Sequence, residues 1–529
     1  MMFDFLFSYC FCLLLCWLSS LVLESFYKPQ PRPMRLRSHS AITIHLLLIA
    51  TLYTIMLILT QRLVFSIGLS IGMVSIVLVI NNAKYATLKE PLVFTDFYLY
   101  LQVFKHPRLY LPFLGIVPLI LLTVIGGGVI LAGLVLEKTL FKWLSITTLL
   151  LALWVFVMLY LLSKLSSKVT CSQQIESDCE QFGVLVTSCV YAFKASKSRN
   201  EVFQNISDES LYSKEKIDFS SQNGELADIV VVQSESFFDA RHLSPNILEK
   251  VLSAYDECLL SSQAFGKLSV PAWGANTMRT EFGFLTGLTP LQLGLAQYYP
   301  YQQLSKFKIP SIVSVLKSLG YYCVCIHPNA SGFFMRDKFF KQLGFDDFLD
   351  EESFGGAVRT GPYIADQAVT NKIMHVLNSG DKPCFIFAIT MENHGPLHLE
   401  AVATDEWKDY YESQPSSGLD DLTVYLRHLK NADKMISQLC SCFKERSTPV
   451  MFSLYGDHVP AISHVFDQMG YEDARSNYFI WSNTEKKPVR SQDFLEERVM
   501  KVESLGLNLL EAIGALKFKG RKVLKRNPD

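Results

Sequence analysis

Five long apolar runs occupy the first third of this 529-residue chain and limit its fold more than any other feature. Each run is close to the ~20 residues that a helix needs to cross the hydrocarbon core of a bilayer. The first run has no basic start and ends at Glu24 without a small-residue cleavage site, which favours a retained helix over a signal peptide. We expect a transmembrane domain over 1–163 with five helices, at about 5–23, 41–60, 63–80, 109–136 and 143–162.

Composition agrees with membrane segments and excludes one class of function. Hydrophobic residues make up 50% of the chain, which is high for a soluble protein of this length. A formal net charge of -1 excludes a nucleic-acid binder that relies on a broad basic surface. Among the 12 cysteines, Cys323/Cys325 and Cys440/Cys442 lack the CxxC spacing of zinc or redox sites. The cysteines indicate no disulfide framework, and a single disulfide is left as an alternative.

The rest of the chain predicts a linker followed by an α/β domain. Residues 164–225 are polar with helical stretches and are expected to form a juxtamembrane linker. From 226 to 520, short β-branched or aromatic runs alternate with helical patterns, which is typical of a mostly parallel sheet covered by helices on both faces. Residues 521–529 are expected to be a basic tail. The clearest strands are 228–233, 321–326, 384–390 and 449–455.

Each of these four strands runs directly into polar residues that can hold a metal ion or a phosphate. The carboxyl ends of parallel strands share one edge of a sheet, and open α/β sheets bind ligands there. We therefore expect the four endings to converge. They are Ser234-Glu235-Ser236, His327-Pro328-Asn329, Glu392-Asn393-His394-Gly395 and Gly456-Asp457-His458.

A candidate nucleophile lies in the stretch WGANTMRTEFGFLTG, residues 273–287. A loop of small residues leads to Thr277, where a helix is expected to begin. A hydroxyl at a helix N-terminus lies beside free backbone N–H groups and partial positive charge, which stabilise a phosphoryl group. The alternative is that Thr277 only caps the helix, with Thr280 or Glu281 completing the cap.

Taken singly, the other candidates also fit ordinary structural roles. Asp457 suits a helix N-cap followed by a surface histidine, and Glu235 suits an exposed loop. His327 and His394 stand next to proline-containing turns. Their joint occurrence at successive strand ends favours a site.

These motifs resemble the catalytic domain of the lipoteichoic acid synthase family, a sulfatase-like domain of the alkaline phosphatase superfamily. The resemblance covers 226–482 and rests on SESF, GANTMRTEF, the segment from His327 to Asp337, NHGP and GDH. Five amino-terminal membrane helices also match that family's layout. The resemblance implies Thr277 as nucleophile and Glu235, Thr277, Asp457 and His458 as metal ligands. It implies that the substrate is bound by His327, Arg336, His394, Asn329 and Phe334.

The implied ligand set is three oxygens and one imidazole, which suits Mn²⁺ or Mg²⁺ better than a thiolate-rich zinc site does. We expect one divalent cation, Mn²⁺, with Mg²⁺ and Zn²⁺ as alternatives. Two positions depart from the family pattern: Met335 replaces a polar residue, and Asn329 stands where aspartate is common. The CxPxR signature of formylglycine sulfatases is absent, so a true sulfatase is not expected.

The resemblance implies a phosphoglycerol transferase that takes its group from phosphatidylglycerol. The acceptor would be an exported glycan or a polyglycerol phosphate chain. Alternatives are a phosphoethanolamine transferase, a head-group phosphodiesterase and a non-catalytic membrane scaffold. The resemblance also places the protein in a bacterial inner membrane, with the catalytic domain on the periplasmic or extracellular side.

Basic residues in two connectors oppose that orientation. The positive-inside rule would place both 24–40 and 81–108 in the cytoplasm, and the catalytic domain with them. We follow the family resemblance, since the charge rule is weaker for connectors that fold back at the interface. The basic residues concerned are Lys28, Arg32, Arg35, Arg37, Lys84, Lys89, Lys105 and Arg108.

Overall fold

The computed structural model describes residues 2–97, 116–141, 145–212, 217–218, 226–484, 497–514 and 517–518. These form two compact units, Met1–Ser198 and Arg199–Asp529, which are described separately. Some predicted features lie outside the described residues: the start of the fourth apolar run (109–115), residues 143–144, Lys105, Arg108 and the tail 521–529.

The first unit is helical. Four of its helices are long and apolar enough to cross a membrane: Phe3–Glu24, His39–Thr60, Leu63–Leu88 and Ile146–Lys168. The fourth predicted run corresponds to a further helix, Ile116–Leu136. The part of this helix whose side chains are described is a shorter apolar stretch, Thr123–Leu136. Much of the predicted linker 164–225 is also helical. The helices run Met2–Glu24, His39–Thr60, Leu63–Leu88, Ile116–Leu136, Ile146–Lys168, Ile175–Phe182 and Val184–Glu209.

Acidic partners neutralise cations of both connectors of the first unit. Arg37 donates to Glu24 at 2.7 Å, and both side chains are almost fully buried. Lys84 bridges Glu90 and Asp96, at 2.7 Å from each, with 12% of its side chain exposed. The charges of these two basic residues are therefore neutralised by neighbouring carboxylates.

The second unit is built on one mixed sheet. Its strands, with those of two short pairs, are β1 (Ile217–Asp218), β2 (Asp228–Ser234), β3 (Ala264–Ser269), β4 (Tyr322–Ile326), β5 (Asp347–Leu349), β6 (Arg359–Thr360), β7 (Tyr363–Ile364), β8 (Cys384–Ile389), β9 (Val450–Gly456), β10 (Ser476–Ser482), β11 (Met500–Lys501) and β12 (Lys517–Phe518). The main sheet has eight strands in the order β11-β3-β10-β9-β2-β8-β4-β5. Within the main sheet, as far as the structure describes it, only β10 runs antiparallel to its neighbours.

The central strands are buried along their whole length because helices cover both faces of the sheet. Every residue of β2, β8 and β9 is buried, which confirms the parallel, two-sided sheet predicted from the sequence. The four predicted strands agree with β2, β4, β8 and β9 to within one residue. The helices are Ser253–Ser261, Thr277–Thr286, Pro290–Leu293, Pro300–Leu304, Ile312–Ser318, Arg336–Leu343, Asp366–Leu377, Asp420–Glu445, Ser463–Met469 and Val502–Ala512.

Candidate active site

Four neighbouring strands of the main sheet end at the same edge with polar residues. β9, β2, β8 and β4 are parallel, so their carboxyl ends lie side by side, as the sequence predicted. β2 and β9 stay in register to their last residues, which sets Glu235 next to Asp457. His327 follows β4 directly, and His394 lies in the turn after β8.

The four residues predicted to share a cation meet at this edge. Glu235, Asp457 and His458 each offer one ligand atom, and these atoms lie within 4.8 Å of one another. His458 Nε2 is 3.7 Å from Glu235 Oε1 and 3.2 Å from Asp457 Oδ2. Thr277 Oγ1 lies 3.4 Å from the same nitrogen. All four side chains are buried.

The chemistry of this cluster fits a divalent cation. His458 Nδ1 donates to the carbonyl of Val459 at 2.9 Å, so Nε2 carries a lone pair that can bind a cation held by the neighbouring carboxylates. Asp457 Oδ2 is buried and accepts no hydrogen bond from the described residues, since the nearby His458 Nε2 has no proton in this tautomer. Burial and the charge of Asp457 raise the pKa of Glu235 to about 8. A cation would relieve the repulsion among these groups.

Backbone and hydroxyl contacts hold the cluster in place. The backbone N–H of Ser236 donates to Asp457 Oδ1 at 2.8 Å, which ties the end of β2 to the end of β9. Thr390 Oγ1 accepts from the backbone N–H of Glu235 at 2.9 Å. Thr280 Oγ1 donates to the carbonyl of Asp457 at 2.7 Å, so the helix that carries Thr277 is attached to the same strand end.

Close packing at Gly456 explains why the GDH motif begins with a glycine. A Cβ built on this residue would lie 1.9 Å from the carbonyl oxygen of Phe237, far inside van der Waals contact. The glycine therefore permits the turn after β2 to pack directly on the end of β9.

Thr277 is the first residue of the helix Thr277–Thr286, as the sequence predicted. The residue before it, Asn276, is the N-cap in a left-handed conformation with φ 64°, and its side chain makes no capping hydrogen bond. The capping role considered for Thr277 is therefore wrong. Every residue of the helix is buried. The hydroxyl sits at a helix N-terminus, where an anionic phosphoryl group is favoured.

Arg336 is fixed by a buried acidic partner that the sequence reasoning did not identify. Glu281 accepts from Arg336 Nε at 3.0 Å and also from Nη2, and both side chains are almost fully buried. Tyr301 donates to Glu281 at 2.7 Å. The guanidinium lies over the ring of Phe334, 5.2 Å from its centroid. Glu281 stands four residues after Thr277, so one helix face presents the hydroxyl and holds the arginine.

His327 is neutral and fully engaged. Its Nδ1 lies 3.4 Å from the carbonyl of Ile389 and can donate to it, so Nε2 accepts from Arg336 Nη1 at 3.2 Å. Burial, and then the charge of Arg336, lower the pKa of His327 well below its ordinary value. His327 thus orients Arg336, and its single N–H group is already engaged with the Ile389 carbonyl.

His394 has one nitrogen left for a ligand. Its Nδ1 donates to the carbonyl of Gly395 at 2.6 Å, and Nε2 makes no hydrogen bond within the described chain. Burial lowers the pKa of His394. Asn329 follows His327 by two residues and is half-buried. The Oδ1 atom of Asn329 accepts from the backbone N–H of Ala330 at 2.8 Å. Neither residue is part of the cation cluster.

Backbone strain in the second unit is concentrated at this site. Non-glycine residues in the left-handed region are unusual, and they occur where the surrounding structure enforces them. Among the described residues of the second unit there are four, and each is a predicted site residue or directly adjoins one. They are Ser236, Asn276, Phe334 and Met335.

A buried ionic network lies behind the turn that carries His394. Glu392 accepts from Asn431 Nδ2 at 2.6 Å and lies 3.3 Å from His428 Nδ1. His428 Nε2 is 3.0 Å from Glu400. Burial alone would lower the pKa of His428, but hydrogen bonds to the two glutamates raise it to about 9. Glu392 also accepts from the backbone N–H of Asp366 at 2.7 Å. Sequence patterns gave no signal for this network.

Comparison with known proteins agrees with the geometry. The chain is 31% identical over 245 residues to a putative cyclic β-1,2-glucan modification protein of Rhizobium meliloti, covering 46% of this chain and 37% of that protein. It is 26% identical over 423 residues to the capsular polysaccharide biosynthesis protein RkpI of the same organism, covering 76% and 74%. It is 23% identical over 145 residues to lipoteichoic acid synthase 1 of Bacillus subtilis, covering 26% and 21%. The matched region thus spans little more than a third of the first of these relatives.

One solved structure follows almost the whole chain. The integral membrane lipooligosaccharide phosphoethanolamine transferase A of Neisseria meningitidis superposes with a TM-score of 0.55 at 13% identity, covering 96% of this chain and 97% of that one. This likeness establishes the fold: apolar helices followed by a sulfatase-like domain. The sulfatase family model matches residues 227–503, more than half of the chain. The chain therefore belongs to the sulfatase family, in the alkaline phosphatase superfamily, and the resemblance to lipoteichoic acid synthases is confirmed.

Proposed function

We propose that this protein transfers a phosphoglycerol head group from a membrane lipid to an exported glycan or polyglycerol phosphate chain, through a covalent intermediate on Thr277. The observation that carries the proposal is the position of the Thr277 hydroxyl. It lies 3.4 Å from His458 Nε2, within the buried Glu235–Asp457–His458 cluster and at a helix N-terminus.

Glu235, Thr277, Asp457 and His458 would hold one divalent cation, for which we propose Mn²⁺. When bound, such an ion lowers the pKa of a hydroxyl and stabilises negative charge on the transferred group. The predominance of oxygen ligands favours Mn²⁺ or Mg²⁺, and Zn²⁺ also accepts this donor set.

The reaction would proceed in two balanced displacements. In the first, Thr277 Oγ1 gives up its proton and bonds to phosphorus, the bond from phosphorus to the diacylglycerol oxygen breaks, and that oxygen takes up a proton to leave as diacylglycerol. In the second, a hydroxyl of the acceptor gives up its proton and bonds to phosphorus, the Thr277–phosphorus bond breaks, and Thr277 Oγ1 takes up a proton to return as the free hydroxyl. His394 Nε2 is the imidazole nitrogen available to exchange protons with the leaving and attacking alcohols, because both nitrogens of His327 are engaged.

Arg336 would bind the phosphate oxygens. Glu281 accepts from Nε and Nη2 of its guanidinium and His327 accepts from Nη1, which leaves one N–H group on each of the two Nη atoms for a phosphate. Asn329 and Phe334 would contact the glycerol. Fixed donors of this kind stabilise charge that develops in the transition state.

The names of the relatives support a glycan as acceptor. Two of them are named for modification of a cyclic glucan and for biosynthesis of a capsular polysaccharide. Both names refer to glycans, which supports the acceptor proposed here. The third relative is named a lipoteichoic acid synthase, the family whose resemblance implies phosphoglycerol as the transferred group.

The test uses the purified full-length chain with phosphatidylglycerol labelled in its head group, in detergent or vesicles with Mn²⁺. We expect release of diacylglycerol and label on the peptide that contains Thr277, identified by mass spectrometry after acid quench. Matched reactions with labelled phosphatidylethanolamine decide the head group. Label from ethanolamine alone would replace our proposal with the phosphoethanolamine transferase. Diacylglycerol release with all label in free glycerol phosphate would indicate a phosphodiesterase.

A further inference from the structure

Two buried thiols from different helices lie against each other in the second unit. Cys258 belongs to the helix Ser253–Ser261 and Cys440 to the helix Asp420–Glu445. Their sulfur atoms are 3.6 Å apart, and both residues are buried among apolar side chains of the main core. In the structure both are free thiols.

Other contacts fix the two helices independently of the sulfurs. The carboxylate of Asp433, on the long helix, accepts from the backbone N–H groups of Ala254 at 3.0 Å and Tyr255 at 2.7 Å. This carboxylate caps the first turn of the short helix, and Cys258 lies one turn further on. The sulfur atoms therefore meet because two rigid elements are docked. A disulfide would shorten this sulfur–sulfur distance to ~2.0 Å.

We propose that Cys258 and Cys440 form a disulfide in the mature protein. The proposal rests on the outward orientation given under the proposed function, because disulfides persist in oxidising compartments. The oxidant would be a thiol–disulfide oxidoreductase of the cell envelope. One sulfur–sulfur bond forms in this protein, one breaks in the oxidoreductase, and the latter receives the two electrons and two protons as a pair of thiols.

The bond would brace the helix behind the active site. The long helix carries Tyr425, whose hydroxyl donates to the carbonyl of Ser236 at 2.7 Å, beside the candidate ligand Glu235. It also carries His428, which contacts Glu392. A covalent tie to Cys258 would hold this helix, and through it two of the four strand endings, in the geometry that the site needs.

The remaining cysteines provide an internal control. Cys442 lies two residues from Cys440, is half-buried, and no sulfur contact is found for it among the described residues. Cys323, Cys325 and Cys384 are buried in neighbouring strands without a sulfur–sulfur hydrogen bond in the described chain. We therefore expect a single bridge, and these other thiols to stay reduced.

The test is peptide mapping of the full-length protein from membranes that are dissolved in denaturant with N-ethylmaleimide, so that buried thiols are blocked as well. Under non-reducing conditions we expect a linked pair of peptides containing Cys258 and Cys440, which disappears after reduction. The link should persist in Cys442→Ser and be lost in Cys440→Ser. Recovery of both cysteines of the wild type as maleimide adducts would overturn the proposal. This outcome is measured on the wild-type protein, so it does not depend on whether any variant folds.

Thermal unfolding and the transferase assay together test the disulfide separately from the proposed transferase activity. Reduction should lower the Tm of the wild type by about 5 °C and leave Cys258→Ser/Cys440→Ser unchanged. The transferase assay runs on the same oxidised sample. Linked peptides with no head-group transfer would refute the transferase alone, whereas transfer with free thiols would refute the disulfide alone.

Discussion

The Thr277 hydroxyl is the residue-scale feature on which the proposed chemistry depends. In Thr277→Ala the nucleophile is lost while Glu235, Asp457 and His458 remain. We expect turnover to fall at least about 10³-fold, because removal of a nucleophile eliminates the covalent route. Mn²⁺ binding, measured by calorimetry or by stabilisation against heat, should weaken only modestly because three of four donors persist.

Thr286→Ala is the matched control for that variant. Thr286 lies on the same buried helix, and its hydroxyl donates to the carbonyl of Phe282 at 2.7 Å within the helix. We expect near-normal turnover. Full activity of Thr277→Ala would contradict the covalent mechanism. The non-catalytic scaffold instead predicts no turnover in either protein and an unchanged phenotype of cells that carry Thr277→Ala.

Glu281 supports a second residue-scale prediction. In Glu281→Gln the charge of Arg336 is left without its buried partner, and an uncompensated buried charge destabilises a protein by about 3 kcal/mol. We expect a lower free energy of unfolding and a higher KM for the lipid, because the guanidinium loses its orientation. Chemical denaturation and steady-state kinetics measure the two effects.

Glu281→Gln/Arg336→Met separates the structural role of the pair from its catalytic role. Removing both charges should restore much of the lost stability, since no unpaired ion remains. Activity should stay low because the phosphate has lost its arginine. Recovery of activity together with stability would show that Arg336 does not bind the substrate.

These residues also show how far sequence reasoning reaches. Glu235, Thr277, Asp457 and His458 were predictable because each follows a strand or begins a helix, so local pattern fixes its place. Glu281 was assigned a capping role because its partner is 55 positions away in sequence and depends on the strained turn at Phe334 and Met335. No local pattern specifies such a turn.

At the scale of elements, the junction of β9 with the turn after β2 depends on Gly456. Gly456→Ala would place a methyl group 1.9 Å from the Phe237 carbonyl, so one of the two strand endings must move. We expect Mn²⁺ affinity to fall by about tenfold or more, since candidate ligands follow both strands. Gly380→Ala, where a Cβ would meet no atom within 4 Å, is the control and should bind normally.

The long helix Asp420–Glu445 contributes a pH-dependent stabilisation through His428. The folded-state pKa of His428 is raised to about 9, above the unfolded value near 6.5. The charged imidazole therefore stabilises the fold fully below pH 6.5. This contribution, about 3 kcal/mol at most, is lost as pH rises towards 9.

Urea unfolding of the wild type and of His428→Gln between pH 6 and pH 9.5 tests this. The difference in free energy of unfolding should shrink as pH rises. His464→Gln is the control, because that imidazole is largely exposed beside Asp421 at 3.7 Å. A constant difference across the range would mean that His428 is neutral in the folded protein.

Element positions were the most predictable part of this fold. Apolar runs of strand length bounded by polar residues located β2, β4, β8 and β9 to within one residue. The network of His428 with Glu392 and Glu400 was not predictable, because helix periodicity marks a buried face without identifying what that face meets.

For the whole molecule, the direct question is which side of the membrane carries the second unit. We expect a fusion of alkaline phosphatase after residue 165 to be active, because that reporter needs the disulfides it acquires outside the cytoplasm. Fusions after residues 61 and 140, between predicted pairs of spans, should be inactive. The reverse pattern would overturn the outward orientation.

Two of the basic residues that oppose this orientation are held by carboxylates within the first unit. Arg37 is paired with Glu24, and Lys84 with Glu90 and Asp96. Glu24 ends the helix Met2–Glu24, whereas Glu90 and Asp96 lie in the connector after the helix Leu63–Leu88. The positive-inside rule counts Lys and Arg, with little contribution from acidic residues, so the fusion experiment and not the charge count decides the orientation.

The burial of Thr277 bears on which acceptor can react in the proposed transfer. Only 8% of this residue is exposed, and the helix behind it is buried throughout. A polymer lying flat on the protein is not expected to bring an internal ring hydroxyl to the phosphorus. A hydroxyl on a slender stem, such as a primary alcohol at a sugar C6 position or at a growing chain end, is expected to fit. The proposal therefore predicts that the modified positions along the product are protruding ones.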